Sequence, residues 1–189
     1  GPSFRPPAGD FELPEALSTQ TAEGQTVGKC EVICFAADHG KSLKDLAPSQ
    51  VRIILEAWKD RVRELSQASY IAHIAPFENR GEEVGVTLTH PHGQIYSYPF
   101  LPPRVEKMLA AAQEHKDRTG RVLLDDVVAR EIKDGERIIA RNDHWIAFVP
   151  YAARYPFEIH VAPLKPVADL AELDEAASAA FPEIALEVL

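Results

Sequence analysis

Residues 89–95 constrain the fold of this chain more than any other stretch. Their sequence, Thr-His-Pro-His-Gly-Gln-Ile, places His90, His92 and Gln94 at every second position. Because side chains two residues apart on an extended strand point to the same side, we expect the two imidazoles and the carboxamide to share one face of a β-sheet.

This trio of side chains has a specific chemical capacity. Imidazole is substantially unprotonated near neutral pH, so it can attack a phosphorus atom and carry the group covalently, and a neighbouring carboxamide can donate a hydrogen bond to a phosphoryl oxygen. The alternative is a buried histidine satisfied by its surroundings, which the shared face and the adjacent glycine make the weaker interpretation. Nucleotidyl transfer is therefore the favoured hypothesis, with one of the two imidazoles as the nucleophile and Gln94 as the group that holds the phosphoryl oxygen.

Hydrophobic periodicity predicts alternating runs of strands and helices. The first part contains an amphipathic helix over residues 49–66, which follows a Pro-Ser start signal. The predicted strands are residues 29–36, 71–77, 84–89, 92–98 and 157–162. Two more strands are predicted within residues 137–149, on either side of a turn at Asn142-Asp143. The remaining predicted helices are residues 105–118 and 123–132.

The order of these elements predicts an α+β fold, a mostly antiparallel sheet with helices packed on it, followed by the start of a second similar unit. Segments 29–34 and 42–46 are echoed by segments 156–161 and 169–173 at a constant offset of 127 residues. Chance similarity between two strand-to-helix joins is the alternative, since identities are few. The expected domains are a loop-rich lead-in at 1–28, a first unit at 29–122 and an incomplete second unit at 123–189.

Composition narrows the classes of function. A formal net charge of -9 disfavours binding of nucleic acid through a basic surface. No apolar run approaches the roughly twenty residues of a membrane span and no secretory leader is recognisable, so we expect no membrane partner and a cytoplasmic location. The only cysteines, Cys30 and Cys34, are expected to be buried small apolar residues and not a disulfide.

Residues 77–96, which contain the His-Pro-His-Gly-Gln motif, resemble the active-site segment of the galactose-1-phosphate uridylyltransferases, a family of the histidine-triad superfamily. Further landmarks occur in the family's order, at residues 32–35, 38–43, 144–145, 149–151 and 155–158. The motif is specific, whereas a lone His-x-His would not be.

The resemblance implies a double displacement in the Leloir pathway of galactose metabolism. His92 attacks UDP-glucose to form a uridylyl-histidine, and galactose 1-phosphate then accepts the UMP. Residues at matching positions contact the nucleotide, and they are Phe77, Asn79, Gly85, Val86, Thr87 and Gln94. An amide at position 94 cannot act as a general acid, unlike the third histidine common in the superfamily's hydrolases, and this favours transfer over hydrolysis.

The resemblance also implies a homodimer and, in some members, a structural zinc. That zinc is held by two histidines matching His39 and His90 and by an upstream Cys-x-x-Cys, which this chain lacks. The chain looks cut short relative to the family. Two alternatives stay open: another nucleotide phosphorylase or hydrolase of the superfamily, and an inactive fragment or split subunit of the transferase.

Overall fold

The computed structural model of the chain describes residues 28–81, residue 84 and residues 90–189. In these residues six strands and four α-helices occur in the order β1 (Lys29–Cys34), α1 (Pro48–Leu65), β2 (His73–Phe77), β3 (His92–Tyr98), α2 (Pro103–Thr119), α3 (Leu123–Asp134), β4 (Ile138–Arg141), β5 (Trp145–Phe148), β6 (His160–Pro163) and α4 (Glu175–Val188). The α+β class expected from the sequence is confirmed. None of the helices in the described part is both long and apolar enough to cross a membrane.

The chain divides into two compact units. Among the described residues, one unit comprises those up to Ser42 together with those within Asp60–Glu106, and the other comprises Leu43–Lys59 with Lys107–Leu189. Helix α1 therefore contributes residues to both units. These two units are defined by the contacts within each of them. The boundary predicted between residues 122 and 123 separates two similar segments of sequence, and it stays a prediction.

The first unit is built on an antiparallel sheet in which β3 lies between β1 and β2. Its inner face is formed by the buried residues of β3 and is closed by Phe35, which is fully buried. Arg61, near the end of α1, holds Glu31 on β1 with two hydrogen bonds of 2.7 and 2.8 Å. The opposite face of β3 remains partly open to solvent.

The second unit contains the antiparallel sheet β4-β5-β6, against which α4 packs. Every residue of the central strand β5 is buried, as is typical of a strand covered on both faces. Trp145 packs with Leu55 and Ile184 in the core, and its indole Nε1 donates to the carbonyl of Ala177 on α4 at 2.7 Å.

The turn predicted at Asn142-Asp143 is confirmed. The Asn142 side-chain oxygen accepts hydrogen bonds from the backbone N–H groups of His144 and Trp145, at 3.0 and 2.8 Å. Such a side chain replaces the backbone partners that a turn leaves unpaired. The turn between β4 and β5 is thus encoded locally.

The helical elements recur at the offset of 127 residues that the sequence similarity predicts. Short 3-10 helices occupy Leu43–Asp45 and Leu170–Glu172, and α1 and α4 begin at Pro48 and Glu175, each pair separated by 127 residues. This coincidence of element starts favours a true duplication over chance.

The strand part of the echo is placed differently. The strand predicted from residue 157 begins only at His160, because Phe157 has a positive φ of 62° that no strand residue adopts. The Glu158 carboxylate accepts hydrogen bonds from the N–H groups of Arg154 and Tyr155, which stabilises a turn there. The prediction of strand 84–89 falls almost wholly outside the described residues.

Candidate active site

Strand β3 presents a row of polar and aromatic side chains on its open face. Its residues alternate strictly between half-buried and buried positions. The half-buried residues are His92, Gln94, Tyr96 and Tyr98, and the buried ones are Gly93, Ile95 and Ser97. The shared face expected for His92 and Gln94 thus follows from the strand geometry, whereas His90 lies just before the strand.

The ring of His92 has a defined orientation. Its Nδ1 lies 2.8 Å from the backbone carbonyl oxygen of His90. Because a carbonyl oxygen can only accept, Nδ1 must carry the hydrogen, and in the neutral ring Nε2 then carries the lone pair. The backbone carbonyl of His90 therefore orients the His92 ring so that Nε2 carries the lone pair.

The carboxamide of Gln94 is held by a neighbour on the same strand. The Tyr96 hydroxyl donates to Gln94 Oε1 at 3.0 Å. Across the strand pair with β2, Gln94 lies opposite Phe77, whose ring meets the Tyr96 ring edge-on at a centroid distance of 4.8 Å. Phe77, expected to contact the nucleotide, is thus placed beside the candidate catalytic amide.

Strand β1 adds residues that sequence reasoning did not assign to the site. Directly opposed residues of antiparallel strands point to the same face, and Cys34, Val32 and Cys30 lie opposite His92, Gln94 and Tyr96. Both cysteines are free, as expected, but the prediction that they are buried is wrong. Only the register, which local sequence does not reveal, brings β1 alongside the motif.

Gly93 has a packing role on the inner face. A Cβ at this position would lie 2.6 Å from Cζ and 2.9 Å from Cε1 of the buried Phe35 ring, and 3.2 Å from the Phe77 carbonyl oxygen. The glycine is therefore needed so that Phe35 can pack beneath the strand.

His39 and His90, the residues expected to bind metal, are brought together. Their Nδ1 atoms lie 2.8 Å apart and their ring centroids 4.3 Å apart. The turn that carries His39 is closed by a hydrogen bond from the Gly40 N–H to the Asp38 carboxylate at 2.9 Å. Within the described residues no group of three or more His, Cys, Asp or Glu side chains is arranged to hold a metal ion.

A structural zinc site takes four ligands, so this pair supplies half of such a set. Two tetrahedral ligands at about 2.0–2.1 Å from zinc are separated by about 3.3 Å, slightly more than the observed spacing. The observed 2.8 Å is the spacing of a hydrogen bond between the rings, and binding of a shared zinc ion would require the two nitrogen atoms to move apart by about 0.5 Å.

The remaining candidates follow β2 in the sequence. Asn79 is exposed in that loop, and Glu78 precedes it. Burial raises the pKa of the Glu78 carboxyl, while the charges of Arg80 and His92 act in the opposite direction. Gly85, Val86 and Thr87 lie outside the described residues, so their assignment to nucleotide binding stays a prediction.

Comparison with known proteins gives these residues a family context. The N-terminal domain model of galactose-1-phosphate uridyl transferase matches residues 15–102, and the C-terminal domain model matches residues 107–188. The chain belongs to the galactose-1-phosphate uridyl transferase family. A curated galactose-1-phosphate uridylyltransferase of Streptomyces lividans is 49% identical over 162 residues, which are 86% of this chain and 46% of that protein.

Solved structures agree with this membership of the uridyl transferase family. A uridylyltransferase mutant structure superimposes with a TM-score of 0.80 at 34% identity, covering 84% of this chain and 51% of its own. An Arabidopsis thaliana ADP-glucose phosphorylase with bound ADP-glucose gives a TM-score of 0.78 at 26% identity, covering 87% and 51%. The chain thus spans about half the length of the curated relatives it matches.

Proposed function

We propose that this chain carries the nucleophilic half of a UDP-glucose:hexose-1-phosphate uridylyltransferase, with His92 as the residue that accepts UMP. The observation that supports this most directly is the 2.8 Å contact between His92 Nδ1 and the His90 carbonyl, since it leaves Nε2 as the basic nitrogen on the open face of β3.

In the proposed first step the Nε2 lone pair attacks the α-phosphorus of UDP-glucose. A P–N bond forms, the bond from that phosphorus to the bridging oxygen breaks, and glucose 1-phosphate leaves with the bond electrons. In the second step a phosphate oxygen of galactose 1-phosphate attacks the uridylyl group, and the P–N bond breaks to restore His92 and give UDP-galactose. Neither step needs a proton for the leaving group, because a sugar phosphate departs as an anion in the first step and the imidazole of His92, which carries its hydrogen on Nδ1, departs as a neutral ring in the second.

Gln94 suits this reaction because its amide can donate to a phosphoryl oxygen without acting as an acid. In the same proposal Phe77, Asn79, Gly85, Val86 and Thr87 bind the nucleotide. The assembly proposed from the family resemblance is a homodimer, and the location is cytoplasmic. Size measurement by light scattering of the purified protein tests the dimer.

Trapping of the intermediate tests the proposal. Intact-mass measurement after incubation with UDP-glucose should show one added uridylyl group, which disappears when galactose 1-phosphate is supplied. His92→Ala should remain unlabelled. The matched control is His73→Ala, which removes a histidine on β2 that stacks on Tyr98 at 6.2 Å and has no part in the proposed step. Equal labelling of His92→Ala and the unaltered chain contradicts the proposal.

A second candidate is the transfer of an adenylyl group. It is favoured by the Arabidopsis thaliana ADP-glucose phosphorylase, whose sequence is 31% identical over 150 residues. Labelling with ADP-glucose and UDP-glucose at equal concentration separates the two, since the preferred nucleotide should modify His92 faster.

An inactive fragment is the remaining alternative. It is tested by comparing the label on this chain alone with the label on a longer natural protein that contains it. Labelling of the longer protein only would mean that residues outside this chain complete the site.

The proposal includes a structural zinc held in part by His39 and His90. When bound, such an ion stabilises the fold and takes no part in the transfer step. Elemental analysis of protein purified without chelators should find zinc, and His39→Ala should lose it. Zinc content that is unchanged in His39→Ala, or absent from a longer natural protein containing the chain, argues against this part of the proposal.

A further inference from the structure

We infer that Tyr96 is a positioning residue that fixes the orientation of the Gln94 carboxamide. This inference rests on the proposed function, because the orientation matters only if the amide meets a phosphoryl group. The hydroxyl of Tyr96 donates to Gln94 Oε1 at 3.0 Å, and both residues lie on the open face of β3.

A carboxamide without a partner has two orientations related by a half-turn, one of which presents its oxygen and the other its NH₂ group. Only the NH₂ group can donate to an anionic phosphoryl oxygen, whereas the amide oxygen would repel it. A phenolic hydroxyl is a better donor than acceptor, so its contact favours the orientation that binds the oxygen and leaves the NH₂ group available.

The cross-strand neighbours of Gln94 cannot orient its carboxamide by hydrogen bonding. Across the strands its neighbours are Val32 and Phe77, whose side chains offer no polar atom. Along the strand the same-face neighbours are His92 on one side and Tyr96 on the other. Within the described residues, Tyr96 is thus the polar side chain that engages the amide oxygen.

The Tyr96 ring is itself held in place. It meets Phe77 at a centroid distance of 4.8 Å and an interplanar angle of 85°, and Tyr98 at 6.1 Å and 79°. Edge-to-face pairs of this kind restrict a ring without using its hydroxyl. Tyr96→Phe therefore removes the hydrogen bond and retains the aromatic contacts, which makes it a clean test.

The first experiment measures the rate of His92 uridylylation from UDP-glucose. A neutral hydrogen bond contributes about 0.5–1.5 kcal/mol, so Tyr96→Phe should slow labelling about 2- to 12-fold. Tyr98→Phe is the matched control and should label at the unaltered rate. In a Gln94→Ala background the further change Tyr96→Phe should have no additional effect, because the group it positions is gone.

The second experiment needs no substrate. The side-chain amide signals of Gln94 in an ¹⁵N NMR spectrum are assigned by their loss in Gln94→Ala, and their heteronuclear NOE reports order. This NOE should fall in Tyr96→Phe and stay unchanged in Tyr98→Phe. An equally ordered amide in Tyr96→Phe, or an equal slowing by Tyr96→Phe with and without Gln94, overturns the inference. If Tyr96→Phe loses amide order but UDP-glucose labels His92 neither in this chain nor in a longer natural protein that contains it, the proposed reaction is refuted and the positioning role stands.

Discussion

Replacement of Gly93 by alanine tests the packing of the buried Phe35 ring against the inner face of β3, the strand that carries His92 and Gln94. The added methyl group would lie 2.6 Å from the Phe35 Cζ atom and 3.2 Å from the Phe77 carbonyl. Phe35 is 0% exposed, so its ring has no open space into which to move.

The expected magnitude follows from two opposing effects. Insertion of a methyl group into a packed core costs about 1–3 kcal/mol. Alanine also restricts the unfolded backbone, and this offsets about 0.4–1 kcal/mol where the native conformation suits it. We therefore expect Gly93→Ala to lower the free energy of unfolding by about 1–2 kcal/mol.

The assay combines urea unfolding with hydrogen exchange of peptides from β1 and β3, which reports the first unit separately. Gly40→Ala is the matched control, since its nearest neighbour would be the Asp38 carboxylate at 3.4 Å, an ordinary contact. Phe35→Leu removes the ring atoms that obstruct the methyl group. The double variant Phe35→Leu/Gly93→Ala should thus lose less than the sum of the single changes. Strict additivity, or equal stability of Gly93→Ala and Gly40→Ala, would refute the reasoning.

Two further predictions concern charged residues. Lys59 is 6% exposed and donates to Ser178 Oγ at 2.8 Å and to the Leu173 carbonyl at 3.1 Å, so Lys59→Met should reduce the unfolding free energy by about 1–3 kcal/mol through the unpaired oxygens. Adding Ser178→Ala to Lys59→Met should recover part of the loss in thermal unfolding, and a further decrease would contradict this. The Arg61 guanidinium lowers the pKa of Glu31. A carboxyl group whose pKa is lower in the folded protein stabilises the fold fully at pH values above its pKa in the unfolded chain, which is about 4.3 for glutamate. This stabilisation is lost as the pH falls through the pKa of the folded protein. Stability should therefore fall less between pH 6 and 3 in Glu31→Gln than in the unaltered chain, by about 1 kcal/mol, and parallel curves would argue against the ion pair.

Helix α1 and strand β3 could be predicted from the sequence because the spacing of their residues matches the faces that are buried in the structure. The helix predicted at residues 49–66 is found at Pro48–Leu65, and its apolar residues Val51, Ile54 and Leu55 are all buried. The common face of His92 and Gln94 likewise follows from the two-residue repeat of a strand. In these cases the short-range pattern alone determines the orientation of the side chains.

Other features depend on contacts distant in sequence. The exposure of Cys30 and Cys34 follows from their position on the open face of an edge strand, and apolar alternation did not reveal which face would be covered. The late start of β6 depends on the backbone of Phe157 and on Glu158, which folds back onto the preceding turn. The contact between Gly93 and Phe35 requires the pairing of β1 with β3, which the local sequence does not specify.

The sharing of α1 between the two compact units has a practical consequence for dissection of the molecule. Neither unit is a single uninterrupted stretch of polypeptide, since the division falls inside the helix between Lys59 and Asp60. Excision at that point would sever the continuous turns of a helix whose propagation is cooperative, and both pieces would lose structure at the cut. Expression of either unit alone therefore requires the whole of α1, because each unit contains only part of this helix.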